Sequence, residues 1–152
     1  MAVTGSIKLI GGKELDRKLK ALPRKVAKKI LRQALRAGAK IILAQAKANA
    51  PVATGQLKKS LKVRAMKRTR KGTVGFKVQT KAGDFKGDEF YGSFLEYGFR
   101  RGKRPGKGAE YTREIVPAQP FMRPAFDSKK DEAVAVISKE LSAKIVTAAK
   151  SG

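Results

Sequence analysis

Three carboxylates lie close together in the middle of the chain, at Asp84, Asp88 and Glu89. Carboxylate oxygens are ligands that Mg²⁺ and Ca²⁺ prefer, and a metal-dependent nuclease is one activity that such a cluster could support. The sequence lacks, however, the Asp-x-Asp-x-Asn-Gly pattern of a calcium loop. We therefore interpret the three residues as part of a structural or solvated loop, and we predict no metal site there.

A fourth carboxylate, Glu96, stands between Leu95 and Tyr97. A carboxyl group buried among apolar side chains can act as a general acid, which is one interpretation of this position. Because cations greatly outnumber carboxylates in this chain, a salt bridge or a contact with a helix terminus is the interpretation that we favour. Glu96 is thus expected to be structural.

The chain of 152 residues contains no histidine and no cysteine. Histidine supplies most general bases near neutral pH, and both residue types are common transition-metal ligands. Without cysteine there is also no disulfide and no thiolate nucleophile. The composition therefore predicts a protein that binds other macromolecules, with no cofactor and no enzymatic activity.

The chain is strongly basic, with 36 lysines and arginines against 12 aspartates and glutamates and a formal net charge of +24. This excess predicts an acidic partner, which could be nucleic acid, an anionic membrane surface or an acidic protein, and charge alone does not choose among them. The sequence shows neither the apolar run of a secretory signal nor the roughly 20 apolar residues that span a bilayer. We expect the protein to be made in the cytoplasm and to stay there at first, without a membrane partner.

Two basic segments are the candidates for contact with DNA or with a protein partner. The first comprises one strand and the tip of a predicted hairpin, and the second follows Gly98. Their cations are Lys62, Arg64, Lys67, Arg68, Arg70, Lys71, Arg100, Arg101, Lys103, Arg104 and Lys107. Because no aromatic residue stands between these cations, they are expected to bind charge and not base sequence. Surface loops kept soluble by their charge are the alternative interpretation.

Apolar residues at three- and four-residue steps predict two long helices. The first covers residues 23–49, with the proline in its first turn, and a short charged helix at 13–22 precedes it. The second long helix covers residues 124–150, and its first residue is also a proline.

One side of the first long helix carries a basic stripe. Its cations are Lys25, Lys29, Arg32, Arg36, Lys40 and Lys47. We interpret the stripe as a solvated face, and contact with nucleic acid is the alternative. Leu43 falls on this basic side and indicates a partner there.

Alternating apolar and polar residues predict two strands, at residues 61–66 and 74–79, with a hairpin tip at 67–72 between them. The apolar segment at 90–97 fits neither the helical nor the strand period, so its type stays open. Residues 99–110 are rich in glycine, proline and cations, which predicts a loop.

The order of these elements predicts an α+β fold in which a small antiparallel sheet is flanked by two long helices, one N-terminal and one C-terminal. A single domain would comprise residues 1–152, with a flexible N-terminus at about 1–12 and basic loops at 67–72 and 99–110. Three prolines within residues 116–126 predict an extended passage before the last helix.

Three motifs occur in order along the chain, at residues 49–57 (NAPVATGQL), 91–98 (YGSFLEYG) and 117–126 (PAQPFMRPAF). Together they resemble the neck or tail-completion family of siphophages and prophages, whose members join the phage head to the tail. The motif residues are Pro51, Thr54, Gly55, Leu57, Glu96, Tyr97, Gly98, Pro117, Pro120, Phe121, Pro124 and Ala125. The segment after Gly98 departs from the family, in which a shorter and less basic turn is usual, and this leaves the role of its cations unassigned.

The resemblance implies a structural virion protein without a reaction. Its subunits would form a ring around the channel between the head connector and the tail, and would contact other head-connector and tail proteins. The protein would then be located in the neck or tail of the virion, after assembly in the cytoplasm of the bacterial host. The motif residues would be scaffold, and the basic segments would contact neighbouring proteins or double-stranded DNA in the channel. A stand-alone basic nucleic-acid-binding protein is the alternative.

Overall fold

The computed structural model describes residues 12–51, 55–66, 73–80, 91–102 and 113–150. In chain order its elements are α1 (Gly12–Ala21), α2 (Arg24–Asn49), α3 (Gln56–Ser60), β1 (Lys62–Ala65), β2 (Phe76–Gln79), α4 (Tyr91–Tyr97), β3 (Phe99–Gly102), β4 (Arg113–Val116) and α5 (Met122–Lys150). This confirms the predicted α+β class, with short antiparallel strands between two long helices.

The two long helices, α2 and α5, pack against each other and form the first core. Its buried residues are Ile30, Ala34, Leu141 and Ile145. Gly38 lets the helices approach closely, because a Cβ at this position would lie only 2.6 Å from the side chain of Ile137. Leu15 and Leu19 of α1 cover one side of this core. The apolar residues that recur at helical steps in the sequence are therefore those through which α2 and α5 contact each other.

A second core lies where the end of α2, the short α3 and the start of α5 meet. Its buried residues are Ala50, Leu57, Leu61 and Phe121. Leu43 packs against this core and is half-buried. The prediction that Leu43 indicates an outside partner is therefore wrong, because α3 and the start of α5 supply its neighbours within the same chain.

β1 and β2 form the predicted antiparallel hairpin. Val63 lies opposite Val78 and both are half-buried, and both strands contact α2. Since side chains alternate between the two faces of a strand, this contact directs the cations of β1 and β2 away from α2. The hairpin thus has an apolar inner face and a basic outer face.

β3 and β4 form a second antiparallel pair that the sequence did not predict. Residues 99–102 were predicted as the start of the basic loop and are instead β3. The strand escaped prediction because its positions do not alternate between apolar and polar residues, and exposed Arg100 pairs with exposed Ile115. The segment whose type was left open, residues 90–97, contains α4.

Several predictions fall on residues outside the described ranges. They concern the N-terminal residues 1–11, the hairpin tip at 67–72, the carboxylates between residues 84 and 89, and the remainder of the basic loop, 103–110. α5 begins at Met122, slightly earlier than the predicted start at residue 124. None of the helices in the described ranges combines the length and the apolar character that crossing a bilayer requires.

Candidate functional site

Glu96 holds the start of α5 with both oxygens of its carboxylate. Its Oε2 accepts hydrogen bonds from the main-chain N–H of Phe121 at 2.8 Å and of Met122 at 2.9 Å. Its Oε1 accepts one from the main-chain N–H of Arg123 at 2.9 Å. The sequence favoured either a salt bridge or a contact with a helix terminus, and the structure shows the second. We call the carboxylate and these three N–H groups the Glu96 clamp.

The Glu96 clamp and Pro124 together leave no first-turn N–H group of α5 without a partner. The N–H groups at the start of a helix have no acceptor within the helix, and they form the positive end of its dipole. Phe121, Met122 and Arg123 donate theirs to Glu96, and the next residue, Pro124, has no N–H to satisfy. A charged acceptor and a proline thus stabilise one helix end between them.

The turn at Gly98 positions the clamp. α4 ends at Tyr97, and Gly98 has a φ of +73°, which directs the chain from α4 into β3. A Cβ on Gly98 would lie 2.9 Å from the carbonyl oxygen of Val116 and 3.0 Å from the main-chain nitrogen of Ala118. Only glycine fits here, because both the left-handed conformation and the close backbone exclude a side chain.

We call residues 91–102 and 113–116, which form α4, β3 and β4, the arm. Within the arm, the rings of Phe94 and Phe99 pack with their centroids 5.1 Å apart. The main-chain N–H of Gln119 donates a hydrogen bond of 2.7 Å to the carbonyl of Leu95. This bond and the Glu96 clamp join the arm to the segment that leads into α5.

Replacing Gly98 by alanine is expected to lower the free energy of unfolding by about 2 kcal/mol, because the left-handed φ and the collision with backbone atoms both disfavour a Cβ. Gly55 provides a matched control, since its φ is +70° but a Cβ there would meet nothing within 4 Å. Gly55→Ala should therefore cost about 1 kcal/mol, from the φ alone. Urea unfolding of both variants measures the difference, and equal losses would contradict the described turn.

The motif at residues 49–57 also contacts the start of α5. Gly55 adopts its positive φ directly before α3, and Leu57 is buried in the second core. At the end of α2, the side-chain amide of Asn49 donates a hydrogen bond of 3.4 Å to the carbonyl of Phe121. Thr54 lies outside the described residues. The three motifs, far apart in the sequence, therefore meet around Phe121.

The remaining motif residues differ in burial. Pro117 and Pro120 are exposed on the extended passage between β4 and α5. Pro51 is half-buried two residues after the end of α2, and Ala125 is fully buried on α5. Prolines on the passage restrict its backbone, which helps to present Phe121 and the first turn of α5 to the clamp.

The first basic segment is described only at its strand. Lys62 and Arg64 are exposed on the outer face of β1, and Lys77 of β2 is exposed directly opposite Arg64. Sequence reasoning missed Lys77 as a candidate, although its place between Phe76 and Val78 already indicated an outward side chain. The other candidates of this segment lie outside the described residues; they are Lys67, Arg68, Arg70 and Lys71.

The second basic segment belongs to the arm. Arg100 is exposed on β3, opposite Ile115 of β4, and Arg101 takes the register position opposite Glu114. The candidates outside the described residues are Lys103, Arg104 and Lys107. The structure thus places the described cations of the two segments on two separate hairpins.

In the ranges that the structure describes, no three or more potential metal ligands lie close together. Asp84, Asp88 and Glu89 lie outside those ranges, so their interpretation as a loop stays a prediction. The described residues instead form a helix end held by Glu96 and two antiparallel strand pairs that carry exposed cations.

Comparison with known proteins relates most of the described elements to a phage family. The family model HK97-gp10_like, described as "Bacteriophage HK97-gp10, putative tail-component", matches residues 13–98, more than half of the chain. The matched range contains the motifs at 49–57 and 91–98 and ends at the glycine of the arm's turn. No curated protein and no solved structure matches the chain.

Proposed function

The chain belongs to the HK97-gp10-like family of bacteriophage proteins, and we propose that it is a neck or tail-completion protein. It is thus a structural protein of the phage virion. In the proposal, its copies form a ring that joins the head connector to the tail and surrounds the DNA channel. It acts there through contacts with other head-connector and tail proteins and has no catalytic role. Assembly takes place in the cytoplasm of the bacterial host.

The observation that carries this proposal is the convergence of the three motifs on one helix end. The residues that resemble the neck family are scattered over 49–126 in the sequence, yet they meet around Phe121 and Glu96. Such an arrangement fixes the arm to the two long helices. A subunit of a ring needs projecting elements of fixed orientation, because every copy must contact the next at the same angle for the ring to close.

The arm also carries exposed apolar side chains that suit a contact between subunits. Ile115 is 72% exposed and Tyr97 is 63% exposed. Both residues lie on the arm, at β4 and at the end of α4. Large apolar and aromatic side chains are typical of the centre of a protein interface, where their burial stabilises the complex. We propose that these exposed side chains of the arm contact the neighbouring subunit in the ring.

Replacing Ile115 by aspartate is expected to weaken self-association at least about tenfold, since the contact would lose an apolar side chain and bury a charge. Val146→Asp is the matched control, because Val146 is also a β-branched apolar residue, 51% exposed, but lies near the end of α5. Sedimentation velocity of both purified variants measures the change. An Ile115 variant that assembles as well as the parent protein and the control would contradict the proposed contact.

A stand-alone nucleic-acid-binding protein is the second candidate function, and the exposed cations on the outer face of the β1–β2 hairpin favour it. It predicts tight binding to duplex DNA at physiological salt by protein that does not form rings. It also predicts that the protein is absent from purified virions. Immunodetection of the protein in virions, together with its oligomeric state, distinguishes the two candidates.

A further inference from the structure

The outer face of the β1–β2 hairpin is a patch of one charge sign. Lys62 and Arg64 of β1 and Lys77 of β2 are all exposed on it, and Arg64 lies directly opposite Lys77. The fourth side chain of this face is Gln79, opposite Lys62. No position of the outer face, within the two strands, holds a carboxylate. We call these four residues the basic face.

The basic face is unfavourable for the protein alone. Like charges directly opposite each other on neighbouring strands destabilise the pairing. On α1 and α5, several lysines pair with a carboxylate one helical turn away, as Lys18 does with Glu14 at 2.7 Å. For the three cations of the basic face, no ion pair is formed with any residue in the described ranges. An anion from another molecule lying over the three cations would relieve their repulsion.

The packing of the inner face directs these cations to the opposite side of the hairpin. Val63 and Val78 pair on that side, and the strands contact α2. A shift of the register by one residue would turn the valines to solvent and the cations toward α2, which is costly. The cations are spaced both along β1 and across the pair of strands. The Cα atoms of Lys62 and Arg64 are about 6.6 Å apart along the strand. Those of Arg64 and Lys77 are about 5 Å apart across the pair of strands. The packing of the hairpin therefore determines on which side of the two strands these charges lie.

We propose that the basic face lies against the phosphate backbone of double-stranded DNA. This inference rests on the proposed function, in which the ring surrounds a DNA channel. The composition of the face favours phosphates over an acidic protein, because protein interfaces contain apolar and aromatic side chains at their centre. The basic face has none, whereas Ile115 and Tyr97 supply them on the arm. Lysine and arginine without aromatic neighbours bind DNA independently of its base sequence.

The test compares two double variants of the full-length protein that lose the same charge. Arg64→Gln/Lys77→Gln changes the basic face, and Lys29→Gln/Arg36→Gln changes two exposed residues of the stripe on α2. Binding to a labelled duplex of random sequence is measured by anisotropy over a series of salt concentrations. The magnitude of the negative slope of log K against log salt should decrease by about two for the basic-face variant, because each lost phosphate contact reduces it by about 0.9. The α2 variant should keep the slope of the parent.

Equal slopes for the two double variants would overturn the inference, because net charge and not the basic face would then set DNA binding. A basic-face variant that binds DNA like the parent but no longer binds a purified acidic neck protein would overturn it in favour of a protein partner. The thermal unfolding midpoint shows that each variant is folded. Sedimentation velocity of the same samples tests ring formation separately, so a negative DNA result with intact rings would leave the proposed function standing.

Discussion

Replacing Glu96 by alanine is expected to lower the free energy of unfolding by about 3 kcal/mol. The substitution removes the acceptor of three main-chain hydrogen bonds at once, from Phe121, Met122 and Arg123. It also removes a negative charge from the positive end of the α5 dipole. Water can reach the N–H of Arg123, so the loss stays below the sum of three independent bonds. Urea unfolding followed by circular dichroism measures it.

Two further variants separate the Glu96 clamp from a general effect of charge. Glu96→Gln keeps one acceptor oxygen but no charge, and should lose about half as much stability as Glu96→Ala. Glu140→Ala removes a glutamate of α5 that has only a surface ion pair, at 3.6 Å from Lys144. This variant should unfold within about 0.5 kcal/mol of the parent. If Glu96→Ala were no more damaging than Glu140→Ala, Glu96 would not be a structural clamp.

Replacing Phe121 by alanine is expected to lower the free energy of unfolding by about 4 kcal/mol, the largest loss of stability predicted for any variant of this protein. Phe121 is 1% exposed and is one of the largest fully buried side chains of the described ranges. Its removal leaves a cavity in the second core, which Phe121 forms with Ala50, Leu57 and Leu61. Because the surrounding helices relax only partly, the cavity adds to the lost burial of the ring.

Phe126→Ala is the matched control for Phe121→Ala, since Phe126 is a phenylalanine of the same region that is only half-buried. The control should lose about 1 to 2 kcal/mol, in proportion to the smaller area removed from water. Phe121→Leu keeps most of the apolar volume and should lie between the two alanine variants. Comparable losses for the two alanine variants would show that the second core does not depend on Phe121.

The sequence predicted those parts of the fold in which burial of one face produces a regular spacing of apolar residues. The two long helices follow from apolar residues at helical steps, because one face of each is buried against the other. The β1–β2 hairpin follows from alternation, since Val63 and Val78 face α2 while Lys62 and Lys77 face outward. In both cases the element is buried on one side only, against a long helix, so its apolar residues recur at regular steps.

β3 and β4 were missed because their pairing depends on main-chain hydrogen bonds and not on a buried face. Arg100 and Ile115 pair with each other and both are exposed, so neither strand alternates clearly. Leu43 was misjudged for a related reason. The helical period alone cannot show that α3 and the start of α5 return to cover the basic side of α2 at that level. Long-range contacts of this kind leave no local pattern.

The candidate site was partly accessible from the sequence. Because cations outnumber carboxylates, the sequence favoured a salt bridge or a helix-terminus contact for Glu96 over a catalytic role, and the structure shows the helix-terminus contact. Which helix end it would be could not be predicted, because the partner residues follow about 25 positions later and reach Glu96 only through the turn at Gly98. The pairing of Arg64 with Lys77 likewise depends on a strand register that the sequence only outlines.

The central claim, that this chain is a ring subunit at the junction of head and tail, is tested most directly by electron cryo-microscopy of virions. We predict a ring of copies of this chain between the connector and the tail tube, with the arm of each copy against its neighbour and the DNA channel at the centre. Virions with normally joined heads and tails that contain no density for this chain would contradict the claim.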